Sequence, residues 1–340
     1  MSIAKRKIDH INLALKKDVS FRTISTGFED VFVFHNSLPE LDFRNVDTSA
    51  VFLGRKLSSP VLIDAITGGF AGAEKINRKL AAAAENEGIA FAMGSQRAML
   101  QDSSLSYTYK VRDVAPSIPI IGNIGIANLD RATISKLDSA IKEVDADALA
   151  IHLNPLQEAI QKEGDKDFKG KLGLINEVCD SVDVPVIAKE VGHGMSPDVL
   201  KELSKTKVKM INVAGAGGTS WTKIESLRSD SSSSFNEDGI PTVVSLANAR
   251  RLTKKALIVS GGIRSGTDIA KGIVLGAEIG GAALPFLHAY KSNSIERLIQ
   301  NWREDLKIFM FSRGAKDLKE LARLKPVIIG KMADLLGRRN

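Results

Sequence analysis

The sequence predicts an α/β fold: a (β/α)8 barrel of the TIM type, with an N-terminal extension and an insertion after its sixth strand. Three observations predict it. From Pro60 onward, eight short apolar runs alternate with amphipathic stretches over roughly 230 residues, the arithmetic of such a barrel. Polar and glycine motifs follow many successive strands, as they do when one face gathers all the βα loops. The first βα unit opens with Thr67-Gly68-Gly69-Phe70-Ala71-Gly72. That spacing is not G-x-G-x-x-G, which disfavours the doubly wound sheet that the same alternation would otherwise allow.

The elements follow in order. Residues 1–59 read as an N-terminal arm and cap segment, with apolar pieces such as Val31–Phe34 covering the barrel bottom or side. The barrel occupies 60–314. Its first strand is Val61–Ile66, followed by the helical pattern Ala73–Glu87. Ile89–Met93 is the second strand; the helix after it, Ser103–Asp113, is polar and poorly patterned. Then come Pro119–Asn123 with Arg131–Val144, Ala148–Leu153 with Phe168–Val182, and Pro185–Lys189 with Pro197–Lys205. Met210–Ala214 pairs with Pro241–Thr253, and Ala256–Ser260 with Thr267–Leu275. Glu278–Leu284 is the last strand. After it, in Ser294–Ser312, Ile295, Leu298, Ile299, Trp302 and Leu306 recur at helical spacing. A helical tail, 315–340, completes the chain. Trp221 to Ile240 is the insertion, and it holds the run Ser229-Asp230-Ser231-Ser232-Ser233-Ser234. By composition it is a solvated, disordered loop. By position, after a barrel strand, it is a mobile lid.

Composition bounds the function. The 340 residues are 44% hydrophobic and 26% charged, as in ordinary soluble globular chains with a substantial core. The net charge of +7 suits an anionic ligand as well as a solubilising surface. No interleaving of aromatic and basic residues argues for nucleic acid. Cys179 is the only cysteine, in the helical pattern Ile175–Cys179, so it reads as a packing residue and excludes an intrachain disulfide or a cysteine metal cluster. Lys5-Arg6-Lys7 is followed by polar residues and no segment has the purity of a membrane helix, so a cytoplasmic protein with no membrane partner is expected.

The most informative segment is His152-Leu153-Asn154-Pro155-Leu156-Gln157-Glu158. Strand alternation puts Ala148, Ala150, His152 and Asn154 on one face, and Leu149, Ile151 and Leu153 on the other. Small residues thus give way to hydrogen-bonding ones at a strand end. Gly261-Gly262-Ile263-Arg264-Ser265-Gly266 follows strand seven and opens a helix, and Gly280-Gly281-Ala282-Ala283 lies in strand eight. Glycines let a backbone approach a ligand, helix N-termini bind anions, and barrels commonly hold phosphate after strands seven and eight. Asn123, His152 with Asn154, Lys189 and Thr219 sit at or just beyond four different strand ends. Lys189 closing an apolar strand reads as a fixed cation beside a developing anion, or as a surface lysine.

In this order and combination, Arg6-Lys7-x-x-His10, Thr67-Gly68-Gly69, Gly94-Ser95-Gln96-Arg97, Asn123-Ile124-Gly125, the segment 152–158, Lys189-Glu190, Gly217-Gly218-Thr219-Ser220-Trp221 and the segment 260–266 resemble the flavin-dependent, type 2 isopentenyl-diphosphate isomerase family over almost the whole chain. The family often has methionine where Ile66 stands. The resemblance implies reduced FMN at the barrel mouth, with Ala65, Ile66, Thr67, Ser95, Asn123 and Lys189 at its ring. Thr219, Gly261, Gly262, Ile263, Arg264, Ala282 and Ala283 would hold its phosphate end. Arg6, Lys7, His10, Ser95, Gln96, Arg97, Asn154 and Gln157 would bind an isoprenoid diphosphate. Gln157, Lys189 and His152 would serve catalysis, and Glu158 would help hold Mg2+. NADPH or NADH as reductant and a homotetramer or homo-octamer are further implications. An arm of this kind is expected to be frayed until it grips substrate.

Three other functions compete. A flavin-dependent hydroxy-acid oxidase needs a histidine base near a late strand; the segment after strand seven offers Arg264 but no histidine, and His288 lies beyond strand eight. A nucleotide-oxidising barrel needs a loop cysteine, and Cys179 is not one. A non-catalytic flavin- or phosphate-binding protein has no use for both Arg6-Lys7 and Gln157-Glu158.

Overall fold

The computed structural model describes residues 3–337. The first two residues of the arm and the last three of the tail lie outside them. The chain opens with α1 (Ile3–Lys16), β1 (Val31–Phe32) and the hairpin β2 (Ala50–Phe52) and β3 (Arg55–Leu57). Then β4 (Val61–Ile63) leads to α2 (Ala73–Glu87), β5 (Ala90–Ala92) to α3 (Arg97–Gln101), and β6 (Ile120–Gly125) to α4 (Arg131–Glu143). After β7 (Ala148–Leu153) come α5 (Pro155–Ile160) and α6 (Lys171–Ser181); after β8 (Val186–Glu190) comes α7 (Pro197–Lys205). β9 (Met210–Asn212) precedes α8 (Trp221–Arg228) and α9 (Thr242–Leu252), and β10 (Ala256–Val259) precedes α10 (Gly266–Val274). β11 (Ile279–Ala282) is followed by α11 (Leu284–Ser292) and α12 (Ile295–Phe311), and the chain ends in α13 (Leu318–Leu321), β12 (Val327–Ile328) and α14 (Gly330–Gly337).

Strands β4 to β11 form the expected closed barrel, each parallel to its sequence neighbour, with β11 closing onto β4 through Gly280↔Val61 and Gly281↔Leu62. Period-2 alternation divides its apolar residues between two cores. Leu62, Ala90, Ala92, Ile121, Ala148, Ala150, Ile187, Ile258 and Ile279 fill the interior. Their neighbours Val61, Ile63, Phe91, Ile120, Leu149, Ile151, Val186, Leu257 and Val259 face the helices. Phe52 and Leu57 of the β2–β3 hairpin join the interior cluster, so the hairpin plugs the barrel. Its two-residue turn, Leu53 at φ 50° and Gly54 at φ 76°, matches the twist of the flanking strands.

Of the N-terminal extension, α1 packs across α8 and α11 at the barrel mouth, while the β2–β3 hairpin covers the opposite end. β1 pairs antiparallel with β12, so the segments before and after the barrel meet at its flank, and the tail is not wholly helical. The insertion is not a disordered loop throughout. It opens with α8, capped by the Ser220 hydroxyl accepting from the Lys223 N–H, and closes with a 3₁₀ turn at Ser234–Glu237. The weak second helix is a short α3 followed by the 3₁₀ stretch Ser103–Tyr109. Here Asp102 caps the Ser104 N–H and the Thr108 hydroxyl bonds the Leu105 carbonyl, side-chain bonds that compete with α-helix.

Candidate active site

At the C-terminal ends of the strands the inward alternation continues for one more residue, and the side chains become polar. Asp64, Asn123, His152, Lys189, Asn212 and Ser260, at or just past the ends of different strands, form a crown above the apolar interior. Above the crown lies a cavity walled by residues of α1, α5, α8 and α11. Every residue expected at the site lines this cavity except Gln96 and Ile263. Gln96 turns into the barrel wall: its Oε1 accepts from the Asn123 N–H at 2.9 Å and its Nε2 reaches Met99 Sδ at 3.4 Å. Gln96 therefore supports the strand that presents Asn123 and does not line the cavity. Ile263 is fully buried in the outer core, beneath the loop whose glycines and Arg264 do reach the cavity.

One end of the cavity is a cradle of bare backbone. A Cβ at Gly261 would lie 2.1 Å from the Gly215 oxygen, one at Gly218 would lie 2.4 Å from the Gly262 nitrogen, and one at Gly262 would lie 2.3 Å from Thr26 Cγ2. Gly261 (φ 92°) and Gly262 (φ 74°) also need the left-handed region. Arg264 lines the same end, its pKa lowered by burial and partly restored by Asp268. The N-terminus of α10 is not free for an anion, because Asp268 Oδ2 accepts from the backbone N–H groups of Arg264 and Ser265.

In the crown, Lys189 Nζ lies 3.0 Å from Asp64 Oδ2 and donates to the Glu190 carbonyl. His152 Nδ1 meets Asn123 Oδ1 at 2.8 Å. An amide oxygen only accepts, so Nδ1 carries the hydrogen and Nε2 is left as an acceptor. Burial, then the charges of Lys189, Lys7 and Arg6, push the His152 pKa down to about 3, so the ring is neutral near pH 7. Glu190 Oε2 accepts from the N–H groups of Gly192, His193 and Gly194, which pins the loop after β8; burial raises its pKa.

The other end gathers cations. Arg6 and Lys7 of α1 meet Arg97 of α3. Burial first, then repulsion from Arg97, lowers the Arg6 pKa; burial, then Arg6 and Arg97, pushes Lys7 down to about 7. Lys7 Nζ donates to the Ser95 carbonyl at 2.8 Å and to Tyr109 Oη at 3.1 Å. No carboxylate is ion-paired with Arg6, Lys7 or Arg97 among the described residues.

Between these ends lies a hydrogen-bonded chain that the sequence did not reveal. Gln157 Nε2 reaches Glu225 Oε1 at 3.3 Å, and the same oxygen meets His10 Nε2 at 2.9 Å. Glu225 Oε2 accepts from Arg228 Nε at 2.7 Å. Burial pushes the Glu225 pKa up, but His10 and Arg228 outweigh it and hold it below the ordinary value. Trp221 stacks edge-on against His10, with ring centroids 5.2 Å apart. Gln161, with its amide oriented to satisfy both neighbours, accepts from Arg6 and donates to Glu225. Glu225 is four residues after Trp221, one helical turn on, and that spacing was the available signal. Glu158 lines the cavity, its Oε1 accepting from Asn154 Nδ2 at 3.0 Å. Asn154 Oδ1 is buried without a partner.

Residues 126–326 match the family model described as FMN-dependent dehydrogenase. The isopentenyl-diphosphate delta-isomerase of Methanothermobacter thermautotrophicus is 44% identical, over 99% of this chain and 97% of the relative. Those of Archaeoglobus fulgidus, 42% identical over 98% of each chain, and Pyrococcus horikoshii, 41% over 98% and 94%, are similar to it too. Among solved structures, a mandelate oxidase with (S)-2-phenylpropionate superposes at a TM-score of 0.69, with 16% identity over 96% of this chain and 98% of that one. At that identity the likeness shows the fold alone. With a relative this similar along its whole length, the chain belongs to the isopentenyl-diphosphate delta-isomerase family, on the barrel of the FMN-dependent dehydrogenases.

Proposed function

We infer that the protein is an FMN-dependent isomerase that interconverts isopentenyl diphosphate and dimethylallyl diphosphate by moving a double bond one carbon. The observation that carries this reading is the convergence of Arg6, Lys7 and Arg97, without a paired carboxylate, at one end of a cavity whose other end is a glycine cradle. Burial and neighbouring cations lower the pKa values of Arg6 and Lys7, and a bound polyanion would relieve both. The phosphate of FMN would sit at this end, where the bare backbone of Gly261 and Gly262 lines the cavity with Arg264.

Reduced FMN would supply proton transfer to and from the allylic carbons. The chain's own groups would position and balance that step. Lys189 would stand by the ring's developing negative charge. Gln157 is neutral and a poor acid or base. Its link to Glu225 and His10 would make it one end of a proton-relaying and orienting chain at the reacting carbons. His152 enters as a neutral hydrogen-bonding group, not as an imidazolium acid. Glu158 is a single carboxylate, which suits Mg2+ shared with a diphosphate and water. The unpartnered Asn154 Oδ1 beside it offers a further acceptor to the bound complex. NADPH or NADH as reductant, a homotetramer or homo-octamer and a cytoplasmic site belong to the same proposal. No helix among the described residues is long and apolar enough to cross a membrane.

The test is turnover of isopentenyl diphosphate by the FMN-loaded protein under anaerobic conditions. Dimethylallyl diphosphate should form when the flavin is reduced and not when it is oxidised. Aerobic oxidation of 2-hydroxy acids without isomerisation would support the oxidase alternative instead.

A further inference from the structure

We propose that Asp64 is a positioning residue for the cofactor: through its ion pair with Lys189 it moderates the positive charge presented to the flavin ring, and so the preference of the site for reduced over oxidised FMN. The proposal rests on the FMN-dependent reading above. Asp64 stands just past the end of β4 and Lys189 lies in β8, on the fifth barrel strand, so only barrel closure brings them together. Their side chains are 5% and 11% exposed and 3.0 Å apart, and both residues line the cavity.

The carboxylate is fully furnished. Oδ1 accepts from the Ala65 N–H at 2.8 Å. Oδ2 accepts from Asn212 Nδ2 at 3.2 Å, and Asn212 Oδ1 in turn accepts from the Ser260 hydroxyl at 2.7 Å. Residues of the first, fifth, sixth and seventh strands thus hold one ion pair. Buried pairs persist only with such geometry and additional hydrogen bonds. None of the substrate-binding groups described above needs Asp64, yet the fold spends four polar side chains on it.

The physical consequence concerns the ring. An unpaired ammonium at low dielectric would stabilise an anionic reduced ring strongly. A ring held that firmly as an anion is a weaker base and a poorer partner in reversible proton transfer. Paired with Asp64, Lys189 presents a dipole of fixed orientation in place of a full charge. Asp64 also tethers Nζ, so the cation end stays in one place through the cycle.

The test is the midpoint potential of bound FMN, measured by anaerobic dye equilibration at pH 7 on the holoenzyme, Asp64→Asn, Lys189→Met and the double variant. Asp64→Asn should favour reduced over oxidised FMN by about tenfold or more, a rise of about 30 mV for a two-electron couple. Lys189→Met should lower the potential. In the Lys189→Met background Asp64→Asn should give a much smaller rise, because no ammonium remains for Asp64 to moderate. If Asp64→Asn gives no folded holoenzyme, Asp64→Ser is read in the same way. A potential that is unchanged or lowered in the charge-removed variant, or an equal rise without Lys189, overturns the proposal. A wild-type protein that fails to bind FMN would remove the FMN reading and this inference together; FMN-bound protein with an unshifted variant removes the inference alone.

Discussion

Lys7 is the side chain through which pH should act on the proposed substrate binding. Its pKa is pushed down to about 7 by burial and by Arg6 and Arg97, and its ammonium is held only by the neutral acceptors Ser95 O and Tyr109 Oη. Only the protonated form attracts a diphosphate. The kcat/KM for isopentenyl diphosphate should therefore fall as pH rises through about 7. Lys7→Arg, whose guanidinium stays charged, should remove that limb of the profile. Folding stability responds in the opposite sense. Between about 7 and the ordinary lysine value of 10.5 the unfolded chain binds more protons at Lys7, so this residue's contribution to stability rises with pH across that window. At Gln157 the expectation is kinetic. Its amide accepts from Asn154 and donates to Glu225, at the junction of the two halves of the site. Gln157→Ala should lower kcat by more than it raises KM, and near-normal turnover would remove it from the relay.

Two elements, α1 and α8, build the roof of the site together. The His10–Glu225 contact and the Trp221 edge join them, and α1 brings Arg6 and Lys7 to the cavity. The glycine cradle lies on the barrel itself. Deleting residues 1–10 should consequently raise KM for the diphosphate strongly while leaving FMN affinity, read by fluorescence quenching, near its starting value. The insertion divides into two parts. Residues of α8 bury Thr222, Ile224, Glu225 and Ser226, whereas residues 229–233 form no helix or strand. Hydrogen exchange should be slow across 224–228 and fast across 229–233. Replacing only 229–233 by a short glycine–serine linker should spare activity, because no residue of that stretch lines the cavity. Fast exchange through α8 would restore the expectation of a wholly mobile lid.

For the molecule as a whole, the barrel separates stability from chemistry along its axis. The hairpin residues Phe52 and Leu57 plug it, the apolar interior fills its middle, and the polar crown opens above. A ligand that binds only this assembled crown stabilises the fold by mass action. At about 100 times its dissociation constant FMN should add about 2.7 kcal/mol. That corresponds to a rise in Tm of several degrees, readable by differential scanning fluorimetry. No shift at saturating FMN would count against the cradle at Gly261 and Gly262.

Much of this was determined by sequence alone, because it depends on local periodicity. The face carrying Ala148, Ala150 and His152 follows from a two-residue repeat, and the bounds of α2 and α7 agree residue for residue with their helical patterns. Residues with chemistry at strand ends converge on one cavity because a parallel barrel puts all those ends on one face. What only the tertiary structure decided depends on partners far along the chain. Serine-rich composition hid α8, whose stability comes from a capping hydroxyl and from packing against α1 and α5. Gln96 read as a substrate ligand because its neighbours Ser95 and Arg97 face the cavity, but the wall needed a partner for the Asn123 N–H. Asp64 was invisible as half of an ion pair until closure of the barrel set it against Lys189. Period and composition act between neighbours in sequence, whereas burial, pairing and pKa are set by neighbours in space.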